Sequence, residues 1–297
     1  MKLTVVINTL NEEANIARAI NSVKGIADEV VVVDMESTDK TVEIAKGLGA
    51  KVYSHKKTNY VEPARNFAIS KATGDWVLIL DADEEISKAL SQKIKEVVND
   101  NDVDYYQIPR KNIIFGKWMR HARWWPDYNI RLFKKGAVTW NEAIHSVPES
   151  KGVGGELPAE ENLAIIHYHY DSLEQYLERM NRYTTLYAKR LLKDGYRFNW
   201  KDVLIKPSGE FFSRYFFGAG YKDGLHGLAV SLLQTFSELS VYLKVWEEGK
   251  FEEKEVKVGE VLGEIRKVQR DQNYWQADTL LKITKNPLYL LRRKFKF

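Results

Sequence analysis

Asp81-Ala82-Asp83 sets two carboxylates one residue apart, directly after the apolar run Trp76 to Leu80. Hard oxygen ligands at that spacing can hold Mg²⁺ or Mn²⁺ and still leave coordination positions for phosphate oxygens. A second apolar run, Val30 to Val33, ends in Asp34. In an open parallel sheet, acidic residues at the carboxyl ends of two strands stand at the edge where ligands bind. An acidic pair after a strand is also ordinary loop solvation, and it is the second strand ending in Asp34 that favours a site. The turn after the first apolar run, Asn8-Thr9-Leu10-Asn11-Glu12-Glu13, holds no glycine. A dinucleotide-binding turn needs glycines for close backbone approach to pyrophosphate, so an oxidoreductase is disfavoured. Neutralising a diphosphate here falls to a cation held by carboxylates.

Two further groups carry chemistry. In Ile166-His167-Tyr168-His169-Tyr170 strand alternation puts both histidines on one face, which suits a metal, yet no third ligand lies nearby in sequence. An ordinary strand is the preferred reading. Trp118, Trp124, Trp125 and Trp140 crowd together with Arg120, His121 and Arg123. Aromatic faces stack on sugar rings and cations meet acidic acceptors, but the same residues also suit a subdomain core.

The elements that must position these residues follow from periodicity. Strands are expected at Leu3 to Ile7, Val30 to Val33, Lys51 to Ser54 and Trp76 to Leu80, alternating with helices. Thr9 with Glu12 offers a capping box before a helix with the stripe Ile16, Ala19, Ile20, Val23. Val42, Ala45 and Leu48 mark a second helix stopped at Gly47 and Gly49, and Pro63 begins a third that runs to Ala72. From Asp104 to about Trp140 the texture becomes antiparallel, with Asn129 to Phe133 clearest and a turn at Lys135-Gly136. Beyond Ser172 it is mainly helical. One stripe is Leu173, Tyr176, Leu177, Met180, Tyr183, and a late one is Val258, Val261, Leu262, Ile265, Val268.

The bulk numbers bound the class. With 297 residues, 44% hydrophobic and 29% charged, the chain can bury a core and is not disordered. It has no cysteine, which leaves carboxylate and imidazole as metal ligands. A formal charge of +4 with interspersed acids predicts no nucleic-acid surface. Leu3 to Ile7 is too short for a signal peptide core, and Leu225 to Trp246 is broken by Gln234, Glu238 and Lys244. A cytoplasmic protein is expected. The tail Leu290 to Phe297, rich in Arg, Lys and Phe, suits peripheral contact with the inner membrane surface or a solvated terminus. Phe211, Phe212, Tyr215, Phe216 and Phe217 around Arg214 read as an interfacial helix or as packing.

The residues from Met1 to about Ser150 resemble the family 2 glycosyltransferases of GT-A fold. The likeness rests on Val5 to Glu12, Val32-Val33-Asp34-Met35-Glu36-Ser37-Thr38-Asp39, Ala64-Arg65-Asn66 and Leu80-Asp81-Ala82-Asp83-Glu84, in that order. Within the family the chain looks most like the bacterial lipopolysaccharide-core β-glucosyltransferases. Arg131-Leu132-Phe133, Trp140-Asn141-Glu142-Ala143-Ile144-His145, Lys206-Pro207, Gly220, Asp223-Gly224 and Gly227 carry that likeness. The resemblance implies an α/β fold with a Rossmann-like, mainly parallel central sheet. A catalytic domain is expected over 1–170 and a mainly helical C-terminal region over 171–297.

It also implies roles. Thr9, Leu10, Asn11, Glu12, Asp34, Ser37, Arg65, Asp81 and Ala82 would surround a UDP-sugar donor. Asp83, Asp81 and His145 would hold Mn²⁺ or Mg²⁺. Arg131 would clamp a phosphate or an acceptor anion, or form a structural salt bridge. An inverting transfer needs one base, and Glu142 is expected to serve, with Asp127 as substitute. The sequence departs from the family pattern at Ser146, where an acidic residue often follows the histidine. The expected reaction moves a hexose, UDP-glucose by default, to a lipid-linked or lipopolysaccharide-core glycan acceptor. The competing readings are a sugar-nucleotide nucleotidyltransferase, or a silent nucleotide-binding scaffold whose late helix supports a homo-oligomer.

Overall fold

Short runs rich in valine and isoleucine form strands because branched side chains pack well on a pleated surface, and here they are buried on both faces. A computed structural model describes residues 1–58, 62–100, 102–140 and 148–296. They divide into two compact units. The first is Met1–Ile113 with Trp125–His169; the second is Ile114–Trp124 with Tyr170–Phe297. The sequence boundary near 170 did not foresee that residues 114 to 124 join the second unit.

In chain order the first half contains β1 (Leu3–Thr9), α1 (Ile16–Val23), β2 (Glu29–Asp34), α2 (Thr41–Gly47), β3 (Lys51–Ser54), α3 (Glu62–Lys71), β4 (Trp76–Asp81), β5 (Glu84–Ile86), α4 (Lys88–Val97) and β6 (Tyr105–Ile114). After β7 (Lys117–Trp118), in the second unit, come β8 (Asp127–Lys134), β9 (Val138–Thr139), β10 (Glu149–Ser150), β11 (Gly154–Glu156) and β12 (Ile165–Tyr170). The main sheet runs β3-β2-β1-β4-β8-β6-β12-β5. Its β3-β2-β1-β4 part is parallel, as the alternating pattern predicts, and β8 joins β4 antiparallel. Ile16, Ala19, Ile20 and Val23 are all buried, as the stripe requires. The expected capping box is absent. Thr9 ends β1, and α1 starts at Ile16 after a backbone turn in which the Asn15 amide donates to the Glu12 carbonyl at 2.9 Å.

The second unit is helical: α5 (Leu173–Lys193), α6 (Asp202–Phe211), a π-helical turn Phe212–Phe217, α7 (Gly224–Glu248), α8 (Val258–Thr284) and α9 (Leu288–Phe295). Ser172 caps α5 by accepting the Gln175 amide at 3.1 Å. Two stripes lie differently from expectation. In α5 the buried residues are Tyr176, Thr184 and Ala188, while Leu173 and Leu177 are exposed. In α8 Val258, Leu262 and Ile265 are exposed, and Glu264, Ala277, Asp278 and Thr279 are buried. Ion pairs make this possible: Lys267 holds Glu264, and Lys282 and Arg293 hold Asp278. The aromatic run splits, with Phe212 buried, Phe217 exposed and Phe211 stacked on Tyr215. Within this unit residues 114 to 124 are tied down by Asp223, which accepts the His121 amide and pairs with its Nδ1, both at 2.8 Å. Among the described residues no helix is long and apolar enough to cross a membrane.

Candidate functional site

Parallel register fixes which strand ends meet. Thr9 of β1 lies beside Asp34 of β2, and Asn8 beside Asp81 of β4, so three neighbouring strands deliver polar side chains at one edge. The loops that leave β1 and β2 are stitched together. The Asn11 amide donates to Ser37 Oγ and the Thr38 amide to Asn11 Oδ1, each at 2.8 Å. Glu12 reaches Thr41 Oγ1 through its amide, also at 2.8 Å. Asn11 adopts φ 54°, a conformation asparagine tolerates, whereas Glu36 at φ 64° is a strained position of the sort that collects at ligand sites. Asp34 is buried: Oδ2 accepts the Ser37 amide at 3.1 Å, while Oδ1 has no hydrogen-bond partner among the described residues. Thr9 Oγ1 and Asn8 Oδ1 are likewise buried and unsatisfied there. Orphaned buried acceptors are costly, and a ligand's N–H and O–H groups would satisfy them.

The acidic turn is held from below. Asp81 takes Arg65 Nη2 at 3.0 Å and Arg131 Nη2 at 2.7 Å. Burial works to raise its pKa, but the Arg131 and Arg65 charges prevail and keep the carboxyl far below the usual range. Glu84 is wholly buried; it accepts the Asp81 amide at 2.8 Å, Arg131 at 2.7 Å and Arg110 at 3.4 Å. Arg131 is therefore a buried salt-bridge residue that joins Asp81 to Glu84. Leu10 is half-buried, and Ala82 packs into the core. Arg65 lies 5.6 Å from the Trp140 ring, and Asn66 clamps the Trp140 backbone with bonds of 2.6 and 2.9 Å. Trp140 is thus a core tryptophan, buried beside Phe133.

Asp83 is brought next to the histidines that lacked a third ligand in sequence. β12 pairs antiparallel with β5 so that His167 faces Glu84, and the Tyr168 amide donates to the Asp83 carbonyl at 3.0 Å. His167 Nε2 then lies 3.7 Å from Asp83 Oδ2 and 3.2 Å from His169 Nδ1. Its Nδ1 bonds Asn112 Oδ1 at 2.7 Å, which holds the ring with Nε2 turned toward Asp83. An imidazole oriented through its other nitrogen is the usual arrangement for metal ligation. Carboxylate oxygen suits Mg²⁺ or Mn²⁺, and an added imidazole would favour the softer Mn²⁺ over Mg²⁺. Among the described residues no three such side chains are grouped so as to hold a metal ion by themselves.

Asp127 opens β8 in register with Arg110, whose Nη2 lies 2.7 Å from its Oδ2; Asn112 adds a bond of 3.1 Å. Burial pushes its pKa up, yet Arg110 and the bonds from Asn112 and Asn129 bring it below the ordinary carboxylate value. That makes it a weak proton acceptor. Glu142 and His145 lie outside the described residues. Sequence reasoning missed Arg110 and Asn112, and named Glu84 only as part of the acidic turn without a role. The available signal was a pair of polar residues two apart, Arg110 and Asn112, on the same strand face as the apolar Ile108 and Ile114.

The glycosyl transferase family 2 model matches residues 4–149. A glycosyltransferase of Rickettsia typhi is 38% identical over 246 residues, covering 80% of this chain and 84% of that one. The lipopolysaccharide core biosynthesis glycosyltransferase LpsC of Rhizobium meliloti is 25% identical over 236 residues, 76% of this chain and 85% of its own. Among solved structures, S. aureus TarS 1–349 is similar with 17% identity and a TM-score of 0.44, over 87% of this chain and 95% of that one. Likeness that runs well past the acidic turn, together with the sheet order and the strand-end carboxylates, has one meaning: the chain belongs to glycosyl transferase family 2 and is a glycosyltransferase of GT-A fold.

Proposed function

We propose that the enzyme is an inverting hexosyltransferase that takes its sugar from a UDP-sugar, UDP-glucose by default, with Mn²⁺ or Mg²⁺ assistance. The acceptor is a hydroxyl of a lipid-linked or lipopolysaccharide-core glycan, reached from the cytoplasmic side by a protein peripheral to the inner membrane face. Likeness to LpsC supports the acceptor class. The observation that carries the donor is the buried Asp34 Oδ1, unsatisfied among the described residues, on the strand position paired with Thr9, at the edge shared with Asp81.

Asp34 accepts a hydrogen bond from the base or ribose, and Thr9, Leu10, Asn11, Glu12 and Ser37 shape the nucleoside pocket. Arg65 lies beside the nucleotide and, with Arg131, keeps Asp81 ionised and fixed toward ribose or a metal-bound water. Ala82 brings the chain close to the donor. Asp83, with His167 or His145, would hold the cation. When bound, that ion neutralises the diphosphate as it leaves. Glu142 takes the acceptor proton as the hydroxyl oxygen attacks the anomeric carbon and the bond to diphosphate breaks. Asp127, kept ionised by Arg110, aligns β8 and Asn112 and so orients His167.

The decisive test is Asp83→Ala, which should lose at least about a hundredfold in transfer while melting like the parent. Turnover retained in that variant would refute the role. Product analysis separates the chemistry, because release of UDP is expected and release of pyrophosphate would signal nucleotidyl transfer instead.

A further inference from the structure

Large apolar side chains exposed on the described residues are distributed unevenly. Apart from Met1 and Val153, all belong to the second unit. The last helix, α9, shows what such a surface is built for. Its start is fixed by Asn286, whose Oδ1 accepts the Leu288 amide at 3.0 Å. Tyr289 and Arg293, four apart, form the half-buried face, and Arg293 donates to Asp278 Oδ1 of α8 at 2.8 Å. Leu288, Leu291 and Phe295 recur at three and four and so share another face. Their exposures are 65%, 54% and 62%. The helix thus turns a charge inward and large hydrocarbon groups outward, the reverse of a helix made for water.

Cations border that outward face. Lys285, Arg292, Arg293, Lys294 and Lys296 occur in the closing segment without one acidic residue. Arg293 is taken by Asp278 and Lys296 by Asp271, whereas Arg292 and Lys294 have no acidic partner among the described residues. An apolar strip flanked by uncompensated cations complements anionic lipid. A second protein copy fits less well, since two helical turns bury far less than the roughly 1,000 Å² of a specific protein interface.

We infer that α9 is a lipid-docking helix. It lies on an anionic bilayer surface with Leu288, Leu291 and Phe295 in the headgroup layer and Arg292 and Lys294 against lipid phosphates. This rests on the peripheral setting proposed above, and vesicle binding is read without turnover, so the two can fail separately.

The test is flotation of the full chain with vesicles of phosphatidylcholine alone or mixed with phosphatidylglycerol. The parent should bind the mixed vesicles at least about tenfold more strongly, and raised salt should weaken that binding. The triple variant L288S/L291S/F295S should lose about tenfold or more on the mixed vesicles. The pair R292Q/K294Q should lose the preference for phosphatidylglycerol. Both should melt with the parent and release UDP from UDP-glucose at its rate. A parent that floats with neither vesicle, or a triple variant that floats as well as the parent, would overturn the inference. So would a concentration-dependent dimer, seen by light scattering, that the triple variant dissolves.

Discussion

Glu84 shows how a single carboxylate organises the edge of the sheet. It has no access to solvent, and it gathers the Asp81 amide, Arg131 and Arg110. Truncation would leave Arg131 buried beside an incomplete set of partners, and an uncompensated buried charge is expensive. Glu84→Ala should therefore cost about 3–5 kcal/mol in chemical denaturation; a loss within experimental error would show that Arg131 relaxes to water. Asp81 makes a pH-dependent contribution. Despite burial, Arg131 and Arg65 hold its folded pKa below the unfolded one, so the folded state binds its proton more weakly. The stabilisation is complete above the ordinary carboxylate value of about 4 and is lost as the pH falls toward the depressed folded value. Asp81→Asn should flatten the loss of stability that the parent shows below about pH 4, as read by urea midpoints across that range.

At the scale of elements, the second unit depends on one close backbone approach. A Cβ on Gly227, in the first turns of α7, would stand 1.8 Å from the Gly220 carbonyl oxygen. Backbone cannot yield as a flexible side chain can, so Gly227→Ala should destabilise by about 3 kcal/mol or more. Hydrogen exchange should show the protection lost around Asp223, whose contacts with His121 and Lys117 hold residues 114 to 124. Unchanged protection would mean that α7 shifts without cost. The same economy explains Asp127 and His167: β6 sets Arg110 and Asn112 two residues apart, and one strand thereby orients both a carboxylate and an imidazole.

For the whole molecule, a ligand that binds only the folded state must raise its stability. At a hundredfold excess over Kd the gain is about 2.7 kcal/mol. UDP with Mn²⁺ should raise the melting temperature of the parent more than UDP alone, and Asp83→Ala should abolish the metal-dependent part. Equal shifts with and without metal in both proteins would count against a cation at this turn. The two units divide the surface as well. Nearly all large exposed apolar side chains are in the helical one, while strand-end carboxylates define the first.

Much of this was legible beforehand because it is local. Branched apolar runs fixed β1, β2 and β4, the spacing of Ile16, Ala19, Ile20 and Val23 fixed the inner face of α1, and short motifs carried the family. The sequence by itself determined which residue types stand at the strand ends, since a strand and its following turn are contiguous. Tertiary structure decided what those residues meet. Antiparallel pairing of β12 with β5 brought His167 to Asp83 across more than eighty residues, and pairing of β6 with β8 gave Asp127 its arginine. It also decided which face of α8 is buried, because ion pairs to Glu264 and Asp278 compensate charge that periodicity alone assigns to water. Periodicity records hydrophobicity along one helix; burial depends on partners that only the folded chain supplies.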